Sequence, residues 1–176
     1  MQAFALYPDK PVPKIVFVTK VPDEGRAREI LAHVLALLKI SGTLTVTTLD
    51  VGGTSVSDVS QPGSGVHAYV TVTGGKLIVT TGRDTLATLV EGKGAKLADD
   101  PLYKRARADA KVPEKVAGLA YGDLTHGLPF AFDLAEANGS VVPPAARTNT
   151  APLEHTLLYA EQDGNRFQLF GFAAIK

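Results

Sequence analysis

The chain has 176 residues, of which 45% are hydrophobic, 20% charged and 7% aromatic. This composition is typical of a globular domain, and the length allows roughly 70% of the unfolded surface to be buried. Lys plus Arg and Asp plus Glu both number 18, so the net charge provides no general attraction to nucleic acid. The absence of cysteine excludes disulfides, thiol catalysis and thiolate metal sites.

The start of the chain shows no targeting segment. No apolar run reaches the length of a membrane span, and no signal peptide precedes the first strand-like run. Met1, the only methionine, fits either a natural start or the first residue of an excised segment. We expect an excised segment of a longer protein.

The first third of the chain predicts a strand at 15–19, a long helix and a second strand at 44–49. Asp23 suits the N-cap position of the helix, which extends to about Ile40. The helix carries one broad apolar stripe, formed by Ala27, Ile30, Leu31, Val34, Leu37 and Leu38. The glycine- and serine-rich stretch 51–65 is interpreted as a loop, with a bulged strand as the alternative.

The clearest pattern is a hairpin at 66–82, whose two alternating runs meet at Gly74-Gly75. A glycine pair suits a two-residue turn because both central positions take positive φ. The resulting register gives an apolar face, which we expect the long helix to bury, formed by Val66, Ala68, Val70, Val72, Leu77 and Val79. The opposite face is polar apart from Ile78, and carries His67, Tyr69, Thr71, Thr73, Lys76 and Thr80.

The second half is predicted to contain helices at 84–90, 101–110 and 125–137, a strand at 116–121, a loop at 140–152 and a hairpin at 154–175. A turn at Asp163-Gly164 would set Glu161 opposite Arg166, an opposite-charge pair.

The layout of strand, helix and hairpin recurs in 14–92 and 115–176, which raises the hypothesis of a duplicated β-α-β-β unit. We therefore predict a single α+β domain over 1–176, with an antiparallel-rich sheet and helices packed on one face.

Several motifs follow one another between Tyr69 and Leu124. A strand pair, AYVTVTGGKLIVTTG, leads into a short helix at DTLATLV. Next come a leucine, small residue and acid-proline step at 97–101, a Tyr-Lys helix start at 103–104 and a strand ending in Tyr-x-Asp-Leu at 121–124. This order resembles a bacterial family of uncharacterised proteins, the domain of unknown function 3352.

Members of that family are typically longer, carry an N-terminal membrane anchor or signal, and lie outside the cytoplasm. The resemblance covers the middle and end of the chain. It implies an extracytoplasmic or cell-envelope location, with membrane attachment only through an anchor missing from this chain. The family has no established catalytic residues, so it implies none here.

Two groups of residues are weak candidates for a ligand surface. His67, Tyr69 and Thr71 share the polar hairpin face, which a solvated sheet face also explains. Asp123 and His126 place a carboxylate and an imidazole together at a helix start, as an oriented general base requires. An N-cap aspartate followed by a first-turn histidine explains the same pair.

Motifs for metals, phosphates and nucleophiles are missing. The sequence lacks G-x-S-x-G, G-x-G-x-x-G and a phosphate loop, and its four histidines lack the spacing of a helical zinc site. Asp99-Asp100 is interpreted as a helix cap, and the basic face formed by Lys104, Arg107 and Lys111 as a solvated helix surface. We predict no catalytic residue, cofactor or metal, and no nucleic-acid partner.

These observations favour a non-catalytic binding or protein-interaction domain of a bacterial cell-envelope protein, of uncharacterised function. One alternative is a carrier of a small apolar or lipid ligand held between sheet and helices. The other is a hydrolase-type enzyme whose site is assembled from Asp123, His126 and His155. The sequence does not predict the partner, the ligand or the oligomeric state.

Overall fold

The computed structural model describes residues 2–9, 13–94 and 96–176. It contains 5 helices and 9 strands over the described residues, at 35% helix and 39% strand, which confirms the predicted α+β class. Contacts group the chain into two compact units, 1–94 and 95–176, where the sequence led us to expect one domain. The boundary lies close to the end of the first predicted half-repeat, 14–92.

The first unit contains a six-stranded antiparallel sheet and two helices. The strand order is β1-β2-β6-β5-β4-β3. The elements are β1 (Gln2–Tyr7), β2 (Lys14–Lys20), α1 (Glu24–Ile40), β3 (Thr45–Val51), β4 (Thr54–Ser60), β5 (His67–Thr73), β6 (Lys76–Thr80) and α2 (Arg83–Glu91).

The loop predicted at 51–65 is wrong over its middle part, because 54–60 is β4, which pairs with both β3 and β5. Gly52 and Gly53 take φ of 59° and 78° and form the two-residue turn between β3 and β4. Val56 is 1% exposed, so a strand rich in serine reaches the core. Serine and aspartate are uncommon in strands, which is why composition favoured a loop.

The hairpin of β5 and β6 has the predicted register, with Thr73 opposite Lys76 and Val72 opposite Leu77. Its two faces are covered differently from the prediction, however. The main core cluster lies on the face expected to be polar, where Tyr69 and Ile78 pack with Val51, Val56 and Leu86. On the face expected to be apolar, Val72 is 4% exposed. Ile78, the one apolar residue on that face in the sequence pattern, is 3% exposed.

Two threonines on this face are buried because their hydroxyls bond to the backbone. Thr71 Oγ1 donates to the carbonyl of Ser55 at 2.8 Å, and Thr80 Oγ1 accepts the N–H of Gly82 at 3.2 Å. Both residues are at most 2% exposed. A hydroxyl with a hydrogen-bond partner can enter a core at little cost, so a face patterned as polar becomes the buried one.

Helix α1 begins at the predicted cap, where Asp23 Oδ1 accepts the N–H of Arg26 at 3.0 Å. The helix contacts β3 and β5, and Arg28 Nε donates to the carbonyl of Val72 at 3.1 Å. Its apolar stripe is only partly covered. Ala27, Leu31 and Leu38 are half-buried, whereas three other stripe residues are largely exposed, namely Ile30, Val34 and Leu37.

The second unit contains a three-stranded antiparallel sheet of order β7-β8-β9. A short 3₁₀ turn, Leu97–Asp99, precedes the first of its three helices. The elements are α3 (Pro101–Asp109), β7 (Gly118–Asp123), α4 (Leu124–Ala137), α5 (Pro144–Thr150), β8 (Leu153–Asp163) and β9 (Arg166–Ile175). Its core joins Ala106 of α3 to Leu157 and Tyr159 of β8.

Two predicted details of this unit are wrong. The loop predicted at 140–152 contains α5, which starts with Pro144 at its first helical position, where a missing N–H is harmless. The last hairpin turns one residue later than predicted. Asp163 therefore pairs with Arg166, and Glu161 lies opposite Gln168.

Each half begins with a strand and a helix and contains a hairpin, but the first half inserts β3 and β4 before its hairpin and the second inserts α5. The two halves also differ in strand pairing. In the first unit β2 pairs with β6, the second strand of its hairpin. In the second unit β7 pairs with β8, the first strand of its hairpin. A duplicated β-α-β-β unit would keep the pairing, so the topology lends the hypothesis no support.

Candidate functional site

Three of the candidate residues lie on β5, and the structure brings two of them into contact and buries the third. His67 Nδ1 lies 2.9 and 3.1 Å from the two carboxylate oxygens of Asp58 on β4. The imidazole stacks on the ring of Tyr69 at 5.9 Å between centroids. Thr71 is buried in the core and belongs to no accessible surface. Of the ligand surface predicted on this face, only the His67 side chain is well exposed, at 41%, and it is held by Asp58, a residue that the sequence did not indicate.

The chemistry available at this pair is limited. A carboxylate that bonds one imidazole nitrogen can orient the other as a proton acceptor. Burial raises the pKa of the Tyr69 phenol, and the nearby Asp58 carboxylate raises it further. In the part of the chain that the structure describes, no group of three His, Cys, Asp or Glu side chains could hold a metal ion.

Asp123 and His126 are in contact, as the sequence predicted. Asp123 is the N-cap of α4: its Oδ1 accepts the N–H of His126 at 3.2 Å, and its Oδ2 lies 2.7 Å from His126 Nδ1. The His126 side chain is 76% exposed. The cap interpretation is thus confirmed, and an exposed imidazole is held beside the capping carboxylate.

His155 is the third residue of the hydrolase alternative, and it is enclosed by protein. It pairs with Asp123 in the register of β7 and β8, yet it is 0% exposed. Among the described residues, neither ring nitrogen has a hydrogen-bond partner. The carboxylate of Glu154 lies 3.7 Å away and also pairs with Arg105. The three residues therefore do not converge on a point that a substrate could reach.

Aromatic rings surround the His155 imidazole. The rings of Phe172 and Tyr121 have their centroids 5.9 and 6.4 Å from it, and Tyr103 meets Tyr121 edge-on at 5.2 Å. Burial, followed by the charges of Asp123 and other carboxylates, raises the pKa of Tyr121 to about 12. This phenol therefore stays protonated throughout the physiological range.

The remaining polar candidates have structural roles. Asp100 caps α3 by accepting the N–H of Tyr103 at 2.8 Å, as predicted. Arg107, from the predicted basic face, donates to the carbonyl of Pro113 at 2.8 Å. His33 is exposed on α1, with Nδ1 2.9 Å from the carbonyl of Glu29.

A cavity of about 200 Å³ lies between α4, α5 and the start of β8. Its lining is mostly apolar and consists of Leu124, Thr125, Leu128, Pro129, Phe132, Arg147, Thr150, Ala151 and Leu153. Arg147 donates to Asp133 at 3.1 Å and to Glu136 at 2.9 Å, and its guanidinium carbon lies 5.4 Å from the centroid of the Phe132 ring. Asp123 and His126 lie outside this lining.

The sheet of the second unit exposes a group of large apolar side chains, which we call the β8–β9 apolar face. Leu158 is opposite Gly171, so it shares a face with every second residue of β9. The exposed members of this face are Leu158 at 44%, Phe167 at 68%, Leu169 at 75% and Ile175 at 69%. Apolar patches of this kind commonly mark binding surfaces.

Sequence reasoning missed three parts of these sites. Asp58 was overlooked because β4 was assigned to a loop, although two adjacent hairpin strands would have placed it near His67. Arg147 was overlooked because α5 was also assigned to a loop. The sequence RFQLFGFAAI indicates an apolar strand with a single charge. It does not indicate whether another element of the fold packs on that strand, so the exposure of the β8–β9 apolar face could not be predicted.

Comparisons with known proteins find no relative of this chain. No family model, no curated protein and no solved structure matches the chain. The resemblance to the domain of unknown function 3352 therefore has no support from these comparisons. Among the described residues, no helix is long and apolar enough to cross a membrane.

Proposed function

We propose that the chain is a non-catalytic binding domain that takes up an extended apolar segment of a partner protein along β9. The observation that carries this proposal is the edge position of a long apolar strand. β9 pairs only with β8 among the described strands, so one side of its backbone offers N–H and C=O groups to another strand.

The sequence of β9 lacks the usual protection of an edge strand. Natural edges commonly carry lysine, proline or inward-pointing charges, which discourage pairing with another chain. Across its 10 residues, β9 has one charge, Arg166 next to the turn, and no proline. An unprotected edge of this length favours pairing with a strand from another chain.

The β8–β9 apolar face supplies the side-chain part of the interaction. In strand addition, main-chain hydrogen bonds provide affinity and alternate side chains provide specificity. Phe167, Leu169 and Ile175 alternate along β9, so a partner strand with alternating apolar residues would extend the same face. Location at the bacterial cell envelope belongs to this proposal and rests on the sequence resemblance alone.

The test uses a displayed library of random peptides selected against the full chain. We expect enrichment of peptides with alternating apolar residues, and we expect the bound peptide to slow amide hydrogen exchange in β9. Leu169→Lys should reduce binding at least tenfold, because it adds a charge to the apolar face. Val141→Lys is the matched control, since Val141 is 92% exposed and lies outside the sheet.

Three results would overturn the proposal. The first is the failure to select any peptide, and the second is exchange protection confined to another segment. The third is a concentration-dependent dimer that Leu169→Lys abolishes. That dimer would assign the edge to a second copy of the chain.

A further inference from the structure

We infer that the cavity between α4, α5 and the start of β8 binds a small, uncharged, mostly apolar molecule that carries a hydrogen-bond donor. Its volume is about 200 Å³. An engineered apolar cavity of about 150 Å³ binds benzene, so this one accommodates a ring with a short substituent, roughly ten non-hydrogen atoms. The apolar wall is formed by Leu124, Leu128, Pro129, Phe132, Ala151 and Leu153.

The polar atoms of the lining favour a donor on the ligand. Thr150 Oγ1 donates to the carbonyl of Ala146 at 2.7 Å, and Thr125 Oγ1 donates to the carbonyl of Glu154 at 3.3 Å. Each hydroxyl hydrogen is thus engaged, while the oxygen lone pairs stay available as acceptors. Pro129 has no N–H, so the carbonyl of Thr125 also lacks its usual helical donor.

The charges beside the cavity disfavour an anion. Arg147 is the one cationic lining residue among those described, and it is bonded to both Asp133 and Glu136. The guanidinium is thus already engaged by two carboxylates. A carboxylate ligand would have to compete with them for it, whereas an alcohol of the same shape would not.

This site is separate from the one proposed for a partner strand. Its lining comes from α4, α5 and the residues that flank them, and it includes no residue of β9. Loss of peptide binding in Leu169→Lys therefore leaves the cavity intact. The two proposals stand or fall independently.

Benzyl alcohol and benzoate are matched probes, since they share a ring and differ in charge. In a titration of the isotope-labelled full chain followed by NMR, we expect benzyl alcohol to give saturable shifts in α4 and α5. Intermolecular Overhauser contacts should connect its ring to Phe132 and Leu128. Benzoate should bind at least tenfold more weakly.

Two variants test the location and the charge argument. Ala151→Trp, at a lining residue, should fill the cavity and abolish the saturable shifts, whereas Ala145→Trp, on α5 outside the lining, should leave them unchanged. Glu136→Gln should raise benzoate affinity about threefold relative to benzyl alcohol, because it removes one negative charge.

Equal affinity for the two probes would overturn the inference, as would the absence of saturable shifts in the unmodified chain. Shifts that persist in a folded Ala151→Trp variant would place the probe elsewhere and have the same consequence. The Overhauser contacts need no variant, so the inference stays testable even if the tryptophan prevents folding.

Discussion

The carboxylate of Asp123 makes two contacts with one residue: Oδ1 accepts the backbone N–H of His126, and Oδ2 lies 2.7 Å from its Nδ1. The contacts occur where β7 ends and α4 begins. A single side chain thus caps the helix and fixes the orientation of an exposed imidazole. The first contact stabilises the fold, and the second involves a largely solvated group.

We expect Asp123→Ala to lower the free energy of unfolding by about 1 kcal/mol, because it removes the N-cap of α4. Asp123→Asn should lower it by only a few tenths of a kcal/mol, since asparagine caps equally well. His126→Ala should change stability by less than about 0.5 kcal/mol, because the imidazole is exposed. Urea denaturation measures all three, and a cost for Asp123→Asn as large as for alanine would contradict the cap argument.

The buried imidazole of His155 leads to a second prediction. Its two nitrogens have no hydrogen-bond partner among the described residues, and a buried polar group without one costs about 1–3 kcal/mol. His155→Leu should therefore be neutral or stabilise the chain by about 1 kcal/mol. His155→Ala should instead destabilise it by about 2 kcal/mol, because it leaves a cavity beside Leu157.

Thermal and urea denaturation of the two His155 variants provide the comparison. If leucine destabilises as strongly as alanine, the imidazole has a hydrogen-bonded role in the folded chain. A difference of about 3 kcal/mol between the variants, in favour of leucine, supports the view that apolar packing is what this position requires.

The raised pKa of Tyr121 predicts a loss of stability at alkaline pH. The folded pKa is about 12 against 10.0 for the free group, so between these values the folded chain keeps a proton that the unfolded chain has lost. The contribution of Tyr121 to the free energy of unfolding is therefore fully present below pH 10 and is lost as the pH rises towards 12. The full shift corresponds to about 2.7 kcal/mol, and we expect about half of it because the ring is only half-buried.

Tyr121→Phe isolates this contribution, since it removes the ionising group and keeps the ring. Urea unfolding measured across this pH range should show a smaller alkaline loss in the variant than in the parent chain. Equal losses would assign the alkaline loss to other groups, such as Tyr69, whose pKa is also raised.

The covered face of the β5–β6 hairpin makes a fourth prediction. Ile78 is 3% exposed in the core of the first unit, whereas its neighbour Leu77 is only half-buried on the opposite face. Ile78→Ala should cost about 3 kcal/mol and Leu77→Ala about 1 kcal/mol. The reverse order of costs, measured by urea denaturation, would restore the face assignment made from the sequence pattern.

Local rules predicted the parts of the fold that depend on neighbouring residues. The caps at Asp23, Asp100 and Asp123 and the glycine turn at 74–75 each follow from a short-range requirement, and the structure has them all. β4 was missed because its composition favours a loop, while its pairing with two neighbouring strands decides its conformation.

The sites were harder to predict than the elements, because they depend on contacts between distant residues. Asp58 and His67 come together only once β4 and β5 pair, and Thr71 is buried only because Ser55 offers a carbonyl on the adjacent strand. The cavity needs α5, which two prolines concealed in an apparent loop. The pattern of apolar and polar residues along the sequence does not show which distant residues will be in contact.

The arrangement of strands in the first unit also bears on how quickly it forms. β3–β4 and β5–β6 close through two-residue glycine turns, whereas β2 joins β6 only across α1 and the strands between them. Closing a short turn loses far less chain entropy than closing a long one. Substitutions at the glycine turns should therefore slow refolding, and substitutions in β2 should mainly accelerate unfolding. The unit is expected to assemble outward from its turns, with the strands earliest in the chain among the last to join the sheet.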